Sequence, residues 1–165
     1  MTAGQSIGAK ITVFIAGDST ACDYGPSRAP RAGWAQMIGA FFDEQQIIIE
    51  NRAISGRSSK SFIDEGALDG ILADIKSGDY LLIQFGHNDA KKEDPSRYSD
   101  PETFKTYLSQ YMDGARRRGA KPVLITPVHR RSFEKGRLVS THGAYPGAVT
   151  ALAKGLKVPL IDLTG

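Results

Sequence analysis

Five short apolar runs alternate with segments of helical period, and this alternation limits the folds open to the chain more than any other feature. The runs occupy residues 11–15, 47–49, 80–85, 122–126 and 158–163. They are nearly continuous in apolar side chains rather than alternating, which marks strands buried on both faces. Between them lie helical patterns. Trp34, Met37, Ile38 and Phe41 fall at i, i+3, i+4 and i+7, and Leu68, Ile71, Leu72 and Ile75 repeat that spacing, with Gly78 as the stop. The plainest helix has Asp100 as N-cap and Pro101 as its first residue, with Phe104, Tyr107, Leu108, Tyr111, Met112 and Ala115 as its buried stripe. Tyr145, Val149 and Leu152 begin another. Strand and helix in alternation predict an α/β domain: a five-stranded parallel sheet covered on both faces and joined by right-handed crossovers.

The turns that follow the first three runs carry the polar chemistry. The first run ends in Gly17-Asp18-Ser19-Thr20, the second empties into the glycine-containing loop 51–59, and the third is followed by Gly86-His87-Asn88-Asp89. In a parallel sheet these turns open onto one rim, beyond the carboxyl ends of the strands, where ligands of open α/β sheets bind. Ser19 is there a candidate nucleophile, although Asp18 and Ser19 also suit an ordinary turn or a helix N-cap. The Ser19 N–H, the Gly56 N–H, unobstructed by a Cβ, and the neutral amide of Asn88 are donors that together suit the oxyanion of an acyl intermediate.

Composition excludes several classes. At 165 residues the chain fits one domain, with residues 1–10 as a tail and 11–165 as the domain. A domain of this size buries roughly 70% of its unfolded surface without staples. The single cysteine, Cys22, rules out a disulfide framework, and with three scattered histidines a metal site is not expected. No apolar stretch reaches the ~20 residues of a membrane span. Residues 1–10 lack the apolar centre of a signal peptide, so the compartment stays open between intracellular and secreted with the leader removed. The net charge of +3 is dispersed apart from Arg116-Arg117-Arg118 and Arg130-Arg131. The triplet reads as the dipole-complementing last turn of a helix rather than a nucleic-acid patch.

These motifs resemble the SGNH (GDSL-type) hydrolases. Gly17-Asp18-Ser19-Thr20, the Gly56 loop and Gly86-His87-Asn88-Asp89 match the first three blocks of that family in order and in strand context. Phe85-Gly86-His87-Asn88-Asp89, Thr126-Pro127-Val128-His129-Arg130-Arg131 and His142-Gly143-Ala144-Tyr145-Pro146 look most like the rhamnogalacturonan acetylesterase group. The resemblance implies a flavodoxin-like three-layer α/β/α sandwich and a serine esterase without cofactor or metal. Ser19 would be the nucleophile, with the Ser19 N–H, Gly56 N–H and Asn88 side chain as oxyanion hole. The implied substrate is an acetylated plant cell-wall polysaccharide of pectin type, with neither nucleic acid nor membrane as partner. His129, Arg130, Arg131 and His142, on and after the basic loop 127–141 that also holds Lys135, are candidate substrate contacts. A Gly-x-Ser-x-Gly elbow of the α/β-hydrolases is absent from the sequence.

One element departs from the pattern. The family's general base lies in a C-terminal Asp-x-x-His, whereas Asp162 is followed by Leu163, Thr164 and Gly165. Ser19 without a base would be nearly inert. Three explanations stand: the C-terminal part is missing from this chain, a second polypeptide or fragment supplies the motif, or the protein is a non-catalytic carbohydrate-binding relative. His87 is expected to shape its turn, and His129 and His142 to be solvated loop residues or substrate contacts, with no carboxylate placed to orient either of these last two rings. A lipase or aryl esterase of the same fold, and more distantly a flavin-binding module, are the other readings.

Overall fold

The computed structural model describes residues 9–164; most of the expected tail, and Gly165, lie outside the described residues. Five strands, β1 (Ile11–Gly17), β2 (Ile47–Asn51), β3 (Tyr80–Gln84), β4 (Lys121–Ile125) and the short β7 (Leu160–Ile161), form one parallel sheet in the order β2-β1-β3-β4-β7. The last strand is shorter than the 158–163 expected: the chain pairs with β4 only at Leu160 and Ile161. The order reverses beside β1, because the chain leaves it for β2 on one side and returns as β3 on the other. A crevice therefore opens between the carboxyl ends of β1 and β3. Register sharpens this, since Gly17 pairs with Gln84 and the two following turns start side by side.

The three layers are unequal. Alternate strand residues Phe14, Ala16, Leu81, Ile83 and Leu124 face a core built by α2 (Ser59–Asp64), α3 (Ala67–Asp74), α4 (Pro101–Arg117) and α5 (Tyr145–Leu156). The opposite residues, Val13, Ile15, Leu82, Val123 and Ile125, meet Ala35, Trp34 and Ile38 of the single short helix α1 (Trp34–Ile38). That helix corrects the sequence reading. Met37, inside the helix, is 56% exposed, and the 3-10 turn over Gly39–Phe41 that follows leaves Phe41 84% exposed. The approach to the helix needs Gly33, where a Cβ would lie 2.2 Å from the Cys22 carbonyl oxygen.

Helix α4 starts as its sequence requires, with the Asp100 carboxylate accepting from the N–H groups of Glu102 and Thr103. Arg116 and Arg117 fill its last turn and Arg118 caps it, while Arg116 Nη2 donates to the Leu156 carbonyl at the end of α5. Helix α2 begins at the last residue of the expected loop 51–59 and runs on over residues to which the sequence pattern assigns no element. A capping box between Ser58 and Ser61 supplies its first turn, and Phe62 is its fully buried anchor. Helix α3 ends at Asp74, four residues before Gly78. The basic loop after β4 contains a small antiparallel hairpin, β5 (Phe133–Glu134) with β6 (Arg137–Leu138), which had no signal in the apolar pattern because both strands are exposed.

Beneath the rim, Phe62 of α2, Phe85 after β3 and Tyr111 of α4 form an aromatic cluster with ring centroids 5.3 to 6.0 Å apart. Each such buried ring contributes about 2 kcal/mol through burial alone, and the Tyr111 hydroxyl donates to the Ser59 carbonyl at 2.7 Å. The floor of the crevice is thus locked to three elements.

Candidate active site

The turn after β1 is organised by Asp18, which is fully buried. Its Oδ1 accepts from the Thr20 N–H and the Thr20 hydroxyl, both at 2.8 Å, and its carbonyl accepts from the N–H groups of Ala21 and Cys22. An aspartate that bonds its own backbone two residues on is a local turn former. Ser19, half-buried between these bonds, gives its carbonyl to the Tyr24 hydroxyl at 2.7 Å. A second network holds the turn from below. Fully buried Gln84 accepts at Oε1 from the Thr20 hydroxyl (3.0 Å) and the Trp34 indole N–H (2.7 Å), and donates from Nε2 to the Thr126 carbonyl (3.1 Å).

Beyond β2 the pairing continues, with the N–H groups of Arg52 and Ile54 donating to the carbonyls of Ile15 and Gly17. This brings the next loop beside Ser19. It closes as a turn over residues 54–57, with Gly56 at φ +80°, a conformation an L side chain rarely adopts. The third turn is joined to it directly, because Asn88 Nδ2 donates to the Arg57 carbonyl at 2.8 Å. An amide nitrogen carries two hydrogens, so one donor of Asn88 remains for a ligand.

Asp89, fully buried, braces that turn. It accepts from the Gly86 N–H at 3.0 Å, the Ser59 N–H at 3.0 Å, the Ser59 hydroxyl and the Ser99 hydroxyl. Burial pushes its pKa up to about 6, against the opposing pull of the hydrogen bonds from Ser59 and Ser99. Sequence reading assigned Asp89 no role; its signal was adjacency to Asn88.

A cavity of about 550 Å³ opens at this rim, lined among others by Ser19, His87, Asn88, Lys91, Glu93 and Arg130. Ser19 and Asn88 therefore share one space. Gly56 stands on the adjoining loop, which the Arg57–Asn88 bond ties to the cavity wall. Arg130 lies at its edge and donates from Nη2 to the His87 carbonyl at 3.0 Å. Arg131 is exposed and Lys135 sits at the tip of the hairpin, neither lining the cavity. His129 is half-buried, with Nε2 3.2 Å from the Thr164 carbonyl.

One histidine corrects the expectation and a second adds to it. His142 is 1% exposed, so it is not a solvated loop residue. Its ring packs edge-on against His87, with centroids 4.4 Å apart and planes at 86°. Burial, aided by His87 and Arg130, pulls its pKa down to about 4, and it is neutral near pH 7. His87 does have a carboxylate beside its ring: its Nδ1 lies 3.3 Å from Asp18 Oδ2. The pairing of Gly17 with Gln84 sets these two residues on adjacent turns, a relation visible only once the strand order is known.

Comparison with known proteins agrees with this architecture. Residues 15–165 match the GDSL-like lipase/acylhydrolase family. The chain is 51% identical over 154 residues to the rhamnogalacturonan acetylesterase RhgT of Bacillus subtilis, covering 93% of this chain and 65% of that protein. It is 47% identical to the probable rhamnogalacturonan acetylesterase YesY of the same organism, covering 92% of this chain and 69% of YesY. The crystal structure of protein YxiM from Bacillus subtilis superposes with a TM-score of 0.84 at 31% identity, over 93% of this chain and 44% of YxiM. The chain thus spans about two thirds or less of the length of each of these three. A Gly-Asp-Ser turn and a Gly-His-Asn-Asp turn at neighbouring strand ends of a five-stranded parallel sheet, with the match over residues 15–165, place the chain in the GDSL-like lipase/acylhydrolase family.

Proposed function

We propose that this chain carries the nucleophile half of a carbohydrate O-acetylesterase acting on an acetylated, anionic cell-wall polysaccharide of the rhamnogalacturonan type. The observation that carries the reading is the convergence of Ser19 and the free donor of Asn88 on one cavity. Ser19 Oγ attacks the acetyl carbonyl, and the negative charge that develops on its oxygen is met by the N–H groups of Ser19 and Gly56 and by Asn88 Nδ2. Each such donor typically stabilises the transition state by about 3 to 4 kcal/mol. Collapse releases the sugar hydroxyl, and water then frees acetate from Ser19. Lys91 and Arg130 outnumber Glu93 at the cavity, which favours an anionic glycan, and the charged mouth disfavours a long acyl chain. The similarity to RhgT supports the substrate class.

Ser19 also needs a base. His142 is sealed from the cavity, His129 is bonded towards Thr164, and His87, which lines the cavity, makes no hydrogen bond with Ser19 among the described residues. The reading therefore takes the Asp-x-x-His histidine from residues outside these 165, whether further along the same polypeptide or on a second one. One other reading is a carbohydrate-binding relative that no longer turns over. Acetate release from acetylated rhamnogalacturonan, with and without added imidazole as a diffusible base, separates the two. The esterase reading expects Ser19-dependent release that imidazole accelerates and Ser19→Ala abolishes. Release indifferent to Ser19→Ala, or none under either condition, overturns it.

A further inference from the structure

Among the described residues, the buried side-chain nitrogens and oxygens without a hydrogen-bond partner belong to four residues: Asp18, His87, His129 and His142. Such atoms are uncommon in folded proteins and mark places where a structure does something besides hold together. Asp18 Oδ2 and His87 Nδ1 are two of them, 3.3 Å apart, close enough for charge attraction but not aligned as a hydrogen bond. A carboxylate beside Nδ1 favours the proton on that nitrogen, and the protonation of one ring nitrogen decides the role of the other. In the neutral ring Nε2 is then left with its lone pair. Nδ1 is sealed, the side chain keeps 11% exposure, and His87 lines the cavity, so the open edge of the ring belongs to the cavity. Neutral His142 fixes the ring from behind. Ser19 and His87 make no hydrogen bond with each other among the described residues, which leaves that edge open to a ligand.

We propose that His87, with Asp18 as its positioning residue, recognises substrate by accepting at Nε2 a hydrogen bond from a free sugar hydroxyl next to the acetylated carbon. The inference rests on the esterase reading and deepens it. Asn88 and the backbone donors address the ester oxygen, whereas His87 addresses the neighbouring carbon of the ring. The site then discriminates partly acetylated sugars from analogues whose neighbouring hydroxyl is blocked.

The test uses the full chain in its Ser19→Ala form, labelled with nitrogen-15, and reads the ring nitrogens of its three histidines. The probes are a mono-O-acetyl methyl galacturonoside with a free neighbouring hydroxyl and the same compound with that hydroxyl methylated. Before ligand, His87 is expected to show a protonated Nδ1 and an unprotonated Nε2, and Asp18→Asn, which places an amide donor toward Nδ1, is expected to reverse that pattern. The free-hydroxyl probe shifts Nε2 upfield and the methylated one does not. With Ser19 intact and imidazole added, His87→Ala lowers kcat/KM on the free-hydroxyl probe about tenfold, the effect of losing roughly one hydrogen bond, relative to the methylated probe. A protonated Nε2 in the free protein, a response indifferent to methylation, or equal losses on both probes overturns the proposal. Failure of the esterase reading appears separately, as no Ser19-dependent acetate release, and leaves the ring shifts to decide His87.

Discussion

Gln84 is the point at which the nucleophile turn depends most on the rest of the fold, and replacing it with methionine isolates that dependence. Methionine keeps the side chain's length and removes its polar atoms. The Thr20 hydroxyl is not orphaned, because Asp18 Oδ1 lies 2.8 Å away. The Trp34 indole N–H and the Thr126 carbonyl lose their Gln84 partners at 2.7 and 3.1 Å. An unsatisfied buried group costs about 1 to 3 kcal/mol. With buried Thr126 assigned about 2 and half-buried Trp34 about 1, Gln84→Met should destabilise the fold by about 3 kcal/mol. At this chain length that lowers Tm by about 10 °C. Urea unfolding followed by tryptophan fluorescence measures it directly, since Trp34 is the sole tryptophan and loses one of the bonds in question. A loss below about 1 kcal/mol with unchanged Trp34 emission would refute the reasoning, because it would mean that the network is incidental to the packing around it.

Asn88→Ala removes the proposed oxyanion donor and the bond to the Arg57 carbonyl. It should lower kcat on p-nitrophenyl acetate by about 10²- to 10³-fold with KM little changed; a change confined to KM would contradict an oxyanion role. For Asp89, whose folded pKa is raised from 3.8 to about 6 by burial, the folded protein holds more protons than the unfolded chain between those values. Stability from this group is complete below about pH 4 and is lost as pH rises through about 6, by an amount on the order of 3 kcal/mol. Comparing denaturation of the parent and Asp89→Asn across that window should show the slope only in the parent, and parallel slopes would assign it to other groups.

The sequence by itself determined whatever local chemistry encodes. Continuous apolar runs required a parallel sheet covered on both faces, and Asp100-Pro101 set the first turn of α4. The glycine-bearing turns marked where polar chemistry collects, so Ser19 and Asn88 were legible as candidates. Helix α2 was not, because its first turn rests on the hydroxyls of Ser58 and Ser61 rather than on apolar period, and Phe62 alone anchors it. Nor was the 3-10 turn that follows α1, which put Phe41 in solvent. Tertiary structure alone decided what the histidines became. Their surroundings come from four separated segments: the crossover from β2 back past β1 sets Asp18 against His87, and the long loop after β4 brings His142 against the same ring. Periodicity reports which side of its own element a residue faces. Burial and charge at a site are fixed by elements far away in the chain, and a loop histidine carries no local mark of whether water or another ring will meet it.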